Sequence, residues 1–595
     1  MDMYCTKMTK KLVLLLWCFF LFGSAEQTFS RVNIYYQNYD ELVQLVQTPE
    51  ISVLKHKSGG YLEAVVEHGY LETLDKSGFE YEVLIKDIAT YYKELRSDGR
   101  GGVFGNYYLY TEVKQAILDL QSQYPGLVKV DSLPTRSIEN RALYVVKVSN
   151  SPAANNNKPE VLFCGAIHAY EPIGVSVCMT DMTHLCEDYA SDPEIQWLVD
   201  NRQIYFIPVM NPDGYVFNET YPSMMWRKNR RLNSGGSYGV DLNRNYPYKW
   251  GYDNIGSSPN QTAWNYRGTE PASEPETQAV MDFVNAHQFR AWHNHHSPGD
   301  VLLIPFSYVD SYPWDDTLEY YCICREESLL YGFLDWGNST QTYGYPCNGE
   351  LGDWAWCDSA TYKIYGLVPE LGPDYWGGLN DTSEIVGICQ NMLRAELYLM
   401  EVSGFFPVIF EIIVHDTMPG ANNDGVLNPG ETAGLQIALQ NKAVVDTAFG
   451  LCGYLNTVYP HVNVTDSTGN YGDVIRLAQV VNSDPFVVYC STAANPSDWV
   501  HFDLRLDWNT GEYEKTLVCS LQIGPETRII EERCRPKKHY TVFPTVVSGA
   551  IHLPEGTSCK LFDITGRVVL SNKMKPGVYF VEVDNKIVQK VVKIR

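Results

Sequence analysis

The chain has 595 residues, with 71 acidic side chains against 46 basic ones and a formal charge of −25. That length exceeds one ordinary domain, and an acidic surface with no basic run excludes a nucleic-acid binder. Hydrophobic residues at 45% and charged ones at 20% describe a globular balance without long disordered tracts.

At the start of the chain, Lys7, Lys10 and Lys11 precede an apolar run from Leu12 to Phe22, and Gly23-Ser24-Ala25 follows. A basic stretch, a short apolar core and small residues at the cleavage position make residues 1–25 a secretory signal peptide. The run is too short to span a bilayer, and no later segment is long and apolar enough for a transmembrane helix. Export permits disulfides. Of 15 cysteines, Cys5 and Cys18 leave with the signal; an odd number remains, so at least one is unpaired or pairs between chains.

Residues 26–102 read as a small α+β unit with apolar stretches at Leu42–Val46, Leu62–Val66 and Tyr81–Ile85. The unit ends in Ser97-Asp98-Gly99-Arg100-Gly101-Gly102, an exposed linker open to nicking. From 103 to 402 the pattern changes. Short, nearly continuous apolar runs at Ala142–Val148, Val161–Ile167 and Ile204–Val209 alternate with helical stretches at Thr111–Gln123 and Pro275–Ala286. This predicts an α/β fold, a mixed doubly wound sheet with helices on both faces.

Residues 403–538 turn all-β, with runs at Val408–Val414, Thr432–Leu439, Val500–Leu506 and Thr516–Ile523 separated by Asn, Gly and Pro turns. They predict an Ig-like β-sandwich. Within it, Asn422-Asn423-Asp424-Gly425 and Glu431 nearly fit a Ca²⁺ loop, but Gly420 stands at the first position, where the loop needs an acid. A turn between strands accounts for the same residues. Residues 539–595 form a further small β unit, with turns at Asp563-Ile564-Thr565-Gly566-Arg567 and Pro576-Gly577.

The chemistry concentrates in the α/β region. The strand Val161–Ile167 runs straight into His168-Ala169-Tyr170-Glu171-Pro172. A His and a Glu three residues apart at a strand end can converge on one metal. Imidazole nitrogen and carboxylate oxygen suit Zn²⁺, whose catalytic sites take three protein ligands and leave a position for water. The same pair also describes a surface histidine beside a solvated glutamate. A third ligand has to come from elsewhere. Ala291-Trp292-His293-Asn294-His295-His296-Ser297 offers three histidines, and spacing leaves all three open.

Residues from about 105 to 402 resemble the zinc carboxypeptidases of the pancreatic type, the funnelin metallocarboxypeptidases. The resemblance rests on ordered motifs: His168-x-x-Glu171, Asn211-Pro212-Asp213-Gly214-Tyr215, Trp226-Arg227-Lys228-Asn229-Arg230, Gly239-Val240-Asp241-Leu242-Asn243-Arg244-Asn245 and Ser273-Glu274-Pro275-Glu276-Thr277. His296-Ser297 with Pro305, Tyr345 with Asp353-Trp354, and Val368-Pro369-Glu370-Leu371 complete the set. The resemblance implies that His168, Glu171 and His296 hold one zinc and that Glu370 takes the proton of a zinc-activated water. It implies that Arg227 steadies the oxyanion and that Arg244 clamps a substrate's C-terminal carboxylate, with Asn243 and Tyr345 beside it. Asp241 would orient His168. The implied activity is removal of the C-terminal residue of peptides and proteins. A zinc amidase or endopeptidase could share the metal site, but Arg244 and Tyr345 serve a terminal carboxylate.

Two departures bear on specificity. Tyr170 stands where many relatives carry an arginine. Gly352 stands at the position that helps set specificity, where glycine would leave depth, and Glu350 lies just before it. A carboxylate there would let the pocket take basic as well as apolar side chains. Cys347 and Cys357 flank this loop and either bridge it or stay free thiols. Residues 26–102 look like the propeptide such enzymes carry. Leu561–Arg567 and Pro576–Phe580 resemble the C-terminal sorting domain of type IX secretion substrates. That resemblance implies a secretion machinery as partner and a location outside the cell, released or attached to its surface.

Overall fold

The computed structural model describes residues 29–38, 41–42, 44–45, 48, 51–57, 61–88, 90, 106–154, 158–221, 225–311, 316–357, 363–373, 382–524, 529–530, 546–547, 559–563, 577–583 and 586–593. The segment read as a signal peptide, 1–25, and the segment read as a linker, 97–102, lie outside them. The chain divides into two compact units, Met1–Ile529 and Ile530–Arg595.

The first unit begins with four strands, β1 (Phe29–Tyr35), β2 (Ile51–Lys57), β3 (Tyr61–Glu67) and β4 (Tyr81–Ile85), with α1 (Leu71–Ser77) between the last two. The sheet order is β2-β3-β1-β4, antiparallel throughout. Val32 and Ile34 on β1 and Leu62, Ala64 and Val66 on β3 alternate inward, as a half-buried sheet requires. Their apolar cluster does not stop at this sheet. It runs on into Leu303, Tyr343, Tyr345, Cys347 and Val368 of the following domain.

That domain starts with α2 (Tyr110–Gln123). Val113, Ile117 and Leu120 fall on one face of it, and Glu112 accepts from the Leu109 N–H to cap it. The elements that follow are β5 (Val128–Ser132), β6 (Tyr144–Val148), β7 (Glu160–Cys164), α3 (Ile173–Glu187), α4 (Pro193–Asn201), β8 (Gln203–Ile207) and α5 (Pro212–Thr220). Then come α6 (Pro275–Asn285), β9 (Phe289–Asn294), β10 (Val301–Leu303), α7 (Thr317–Tyr331), β11 (Asp335–Gly337), α8 (Ser339–Tyr343), α9 (Leu351–Cys357), β12 (Tyr365–Glu370) and α10 (Thr382–Val402). Eight strands form one sheet in the order β11-β10-β12-β9-β7-β8-β6-β5.

The middle of the sheet, β12-β9-β7-β8, is parallel, and β10, β6 and β5 add antiparallel pairs on either side. Along β7, alternate residues enter different cores. Val161 and Phe163 pack under α2, α3, α7 and α10, while Leu162 and Cys164 pack with Ala279, Val280, Leu351 and Trp354. A parallel sheet covered on both faces is what the continuous apolar runs predict. Because β7, β9 and β12 run the same way, their C-terminal ends meet at one edge, where open α/β sheets bind ligands.

After Phe405 the chain is all-β. It forms β13 (Pro407–His415), β14 (Thr432–Asn441), β15 (Ala448–Asn456), β16 (Val462–Asp466), β17 (Thr468–Val474), β18 (Gln479–Val481), β19 (Phe486–Cys490), β20 (Trp499–Trp508) and β21 (Tyr513–Gln522). One sheet runs β13-β14-β19-β16 and the other β17-β15-β20-β21. Their inward residues, among them Leu435, Ile437, Phe486, Phe502 and Leu504, make a single core.

The loop considered for Ca²⁺ is a hydrogen-bonded turn. Asp424 accepts from the Val426 N–H at 3.0 Å and from Asn422 Nδ2 at 2.8 Å, and Glu431 accepts from the Asn422 and Asn428 N–H groups at 3.1 and 3.0 Å. Its carboxylates are spent on the loop's own donors. The groups able to hold a metal among the described residues do not include it, so the Ca²⁺ expectation finds no support. The second unit carries an antiparallel pair, Cys559–Asp563 with Gly577–Val583, to which Lys586–Lys593 adds. Among the described residues no helix is long and apolar enough to cross a membrane.

Candidate active site

At the shared edge, the loop leaving β7 brings His168 and Glu171 inward, and the residue pair after β9 brings in His296. The ligand atoms of these three lie within 4.8 Å of one another, and all three residues are buried. His168 Nδ1 lies 3.0 Å from Glu171 Oε1, and His296 Nδ1 lies 3.0 Å from Glu171 Oε2. So Nδ1 of both rings faces one carboxylate.

The remaining ring nitrogens are held from behind. His168 Nε2 is 3.2 Å from Asp241 Oδ1, and His296 Nε2 is 2.9 Å from the Asn294 side-chain amide. Fixing the far nitrogen of each imidazole is how proteins orient metal-binding histidines. Burial, with the nearby Arg227 cation adding to it, pushes both imidazoles below their ordinary pKa, which keeps them neutral donors. Two neutral imidazoles, one carboxylate and a cleft on the open side fit a catalytic Zn²⁺.

His293 and His295 do not join this set. They alternate with Asn294 and His296 along the strand and turn to its other face, where both meet Glu396.

Glu370 is the last residue of β12 and bridges to His296 through the backbone: His296 N–H donates to Pro369 O at 2.9 Å, and Leu371 N–H donates to His296 O at 2.9 Å. Its carboxyl thus stands beside the metal-binding trio, where burial and Glu171 push its pKa well above the usual carboxylate range. Arg227 donates from Nε and Nη2 to Asp241 Oδ2, both at 3.0 Å, and from Nη1 to the Tyr170 hydroxyl at 3.1 Å. Its guanidinium also lies 4.8 Å from the Trp264 ring centroid. Asp241 therefore serves His168, Arg227 and the Asn243 N–H together. Burial alone would raise its pKa; Arg227, His168 and Arg244 more than reverse this and hold it well below the usual range.

Arg244 is 4% exposed. Nη1 donates to the Asn243 carbonyl at 2.7 Å and Nη2 to Cys347 Sγ at 3.0 Å, while Nε has no partner. No carboxylate pairs with this buried cation among the described residues. Asn243 and Tyr345 line the same cleft, and Asn243 Oδ1 accepts from the Leu351 N–H at 3.1 Å. Cys347 is a free, buried thiol at this point, so no bridge to Cys357 closes the loop.

Glu350 also lines the cleft, buried, with Oε2 accepting from the Asp353 N–H at 3.0 Å and Oε1 without a hydrogen bond. Gly352 does not line it. A Cβ on Gly352 would lie 3.0 Å from Glu350 Oε2. The space that glycine leaves is therefore filled by the Glu350 carboxylate and adds no depth to the pocket. The motif reading did not single out Tyr343, Trp264 or the Cys347 contact. Only Cys347 carried a signal, its place two residues beyond Tyr345.

Comparison with known proteins agrees with this geometry. The zinc carboxypeptidase family model matches residues 113–365. The chain is 33% identical to carboxypeptidase A2 of Rattus norvegicus over 253 residues, 41% of this chain and 59% of that protein. It is 32% identical to carboxypeptidase A2 of Mus musculus over 327 residues, 53% of this chain and 76% of the other. Among solved structures, the carboxypeptidase A from Helicoverpa armigera superimposes with a TM-score of 0.55 at 20% identity, over 63% of this chain and 97% of that one. At that identity the likeness is one of fold. Ordered motifs, shared fold and extended identity together show that the chain belongs to the zinc carboxypeptidase family.

Proposed function

We propose that the chain is a secreted carboxypeptidase that hydrolyses the last peptide bond of peptides and protein C-termini, and that residues 26–102 are a propeptide covering its cleft. The observation that carries the exopeptidase reading is Arg244. A buried guanidinium with no carboxylate partner is costly, and a substrate's terminal carboxylate would complete it through two parallel hydrogen bonds. Asn243 and Tyr345 flank that position.

Zinc held by His168, Glu171 and His296 would supply Lewis acidity to the scissile carbonyl and to a water. Glu370, beside this trio and with a raised pKa, is suited to take the proton of the attacking water and return it to the leaving amine. Arg227 spends Nε and Nη2 on Asp241 and faces the cleft with the rest of its charge, where an oxyanion would develop. Glu350 Oε1, buried at the cleft without a donor, supports acceptance of Lys and Arg alongside apolar residues.

The shared apolar cluster of the N-terminal sheet with Tyr343, Tyr345 and Cys347 supports the propeptide reading. The signal-like segment at 1–25 and the sorting-domain resemblance at 539–595 support export to the cell exterior through a secretion machinery. Paired peptides with free and amidated C-termini test the central point: the amide should be cleaved far more slowly. Equal rates for the two would sink the exopeptidase reading.

A further inference from the structure

On the face of β9 away from the cleft, the core holds an ionic cluster that the peptidase chemistry does not use. His293, His295, Glu327 and Glu396 are each fully buried. Glu327 comes from α7 and Glu396 from α10, two helices packed on the sheet. His293 Nδ1 lies 3.0 Å from Glu396 Oε1, and His295 Nε2 lies 2.5 Å from the same oxygen. The three ligand atoms meet within 4.8 Å, the same bound that holds for the trio at the cleft.

The far nitrogens again face acceptors, although His293 Nε2 and Glu327 Oε1 are in ion-pair reach and not in hydrogen-bond geometry. His293 Nε2 lies 3.1 Å from Glu327 Oε1, and His295 Nδ1 lies 2.8 Å from the Cys164 carbonyl. A backbone carbonyl only accepts, so His295 carries its proton on Nδ1. Its Nε2 then turns towards Glu396, and either a second proton or a cation has to lie between the two. Histidine with one nitrogen on a metal and the other on a carboxylate or backbone carbonyl is the usual arrangement at metal sites.

The cluster is otherwise poorly satisfied. Glu396 Oε2 and Glu327 Oε2 make no hydrogen bond although both are buried, and buried acceptors without donors are rare. No lysine or arginine pairs with either glutamate among the described residues; their ion-pair partners are His293 and His295. Burial works against a charge on His293, but Glu327 and Glu396 outweigh it and raise the imidazole pKa to about 10, so without a metal a proton sits there; a divalent cation in that proton's place would balance both carboxylates. The room is also shaped for the ring: a Cβ on Gly174 of α3 would lie 2.6 Å from His295 Cβ.

We propose that His293, His295 and Glu396 form a second zinc site, structural in role, with Glu327 as the carboxylate that anchors His293. Glu396 Oε2 is available as the fourth donor of a closed site. Burial leaves no position for water or substrate, so this zinc would tie α10 to the sheet and take no part in turnover. The inference stands on its own geometry, independent of the peptidase reading.

Zinc content of the purified full-length protein tests it, measured before and after dialysis against EDTA. The native protein should carry two equivalents. His296→Ala should carry one, and that one should resist EDTA, because it lies in the core. Glu396→Gln should also carry one, and it should keep peptidase turnover. One equivalent in the native protein and none in His296→Ala would overturn the proposal. Should Glu396→Gln fail to fold, zinc absorption spectroscopy on His296→Ala decides instead. Two imidazoles and a carboxylate around the metal uphold the site, and a shell without imidazole overturns it.

Discussion

Glu370 ends β12 beside His296, and the proposed chemistry asks one thing of it, to accept a proton. An amide of the same size cannot do so. Glu370→Gln should therefore keep the cleft's zinc and its affinity for peptides while kcat falls about 10²–10⁴-fold; near-normal kcat would refute the role. Glu350 makes a different demand. Burial raises its carboxyl above the ordinary carboxylate range, so as pH falls its charge is lost at a higher pH than that of an exposed glutamate. The ratio of kcat/KM for C-terminal Lys to that for Phe should accordingly fall on acidification. Glu350→Gln should lower the Lys and Arg values, leave Phe and Leu nearly unchanged, and flatten the pH dependence of the ratio. If both substrate classes fall together, Glu350 does not set specificity. That Glu350 lies in this loop was legible from the motif around Tyr345. That its carboxylate fills the space beside Gly352 was not, because a glycine announces room without saying what occupies it.

Several helices were legible because their ends obey local rules. Pro275 opens α6 at the first turn, where its missing N–H costs nothing. Asp192 caps α4 by accepting from the Glu194 and Ile195 N–H groups. The end of α10 follows a different logic. Arg202, 2% exposed, donates from Nε to Met400 O and from Nη2 to Glu401 O, both at 2.8 Å, and from Nη2 to Phe405 O at 3.3 Å. One cation thus satisfies the last carbonyls of the helix and the first residues of the sandwich, a favourable sign of charge at a helix C-terminus. Arg202→Met should cost about 2–4 kcal/mol of stability, through several buried acceptors losing a charged donor. Denaturant midpoints measure it, and an unchanged midpoint would mean that water replaces the guanidinium. Nothing near Arg202 in the chain hints at this, since its partners lie about two hundred residues away.

At the scale of the whole molecule, the N-terminal sheet and the cleft wall share one apolar cluster that includes Tyr343 and Tyr345. The intact form should therefore turn over peptides at least about tenfold more slowly than the processed enzyme, the ratio that 1.4 kcal/mol of blocking contact would give. Cleavage of the segment joining the two should release the activity; equal rates before and after would make the sheet a permanent accessory. The sequence by itself determined the layered α/β domain, the sandwich after Phe405 and the order of the motifs, because alternation, apolar runs and caps act over a few residues. Tertiary structure decided three further matters. Strand alternation put His296 at the cleft and His293 with His295 in the core, but only the packing of α7 and α10 brought Glu327 and Glu396 to meet them. Arg244 proved to be a buried cation without a carboxylate, which no local pattern records. The N-terminal unit met the cleft through side chains hundreds of residues apart in the chain, and contacts of that range are set by how the elements pack, which no window of sequence contains.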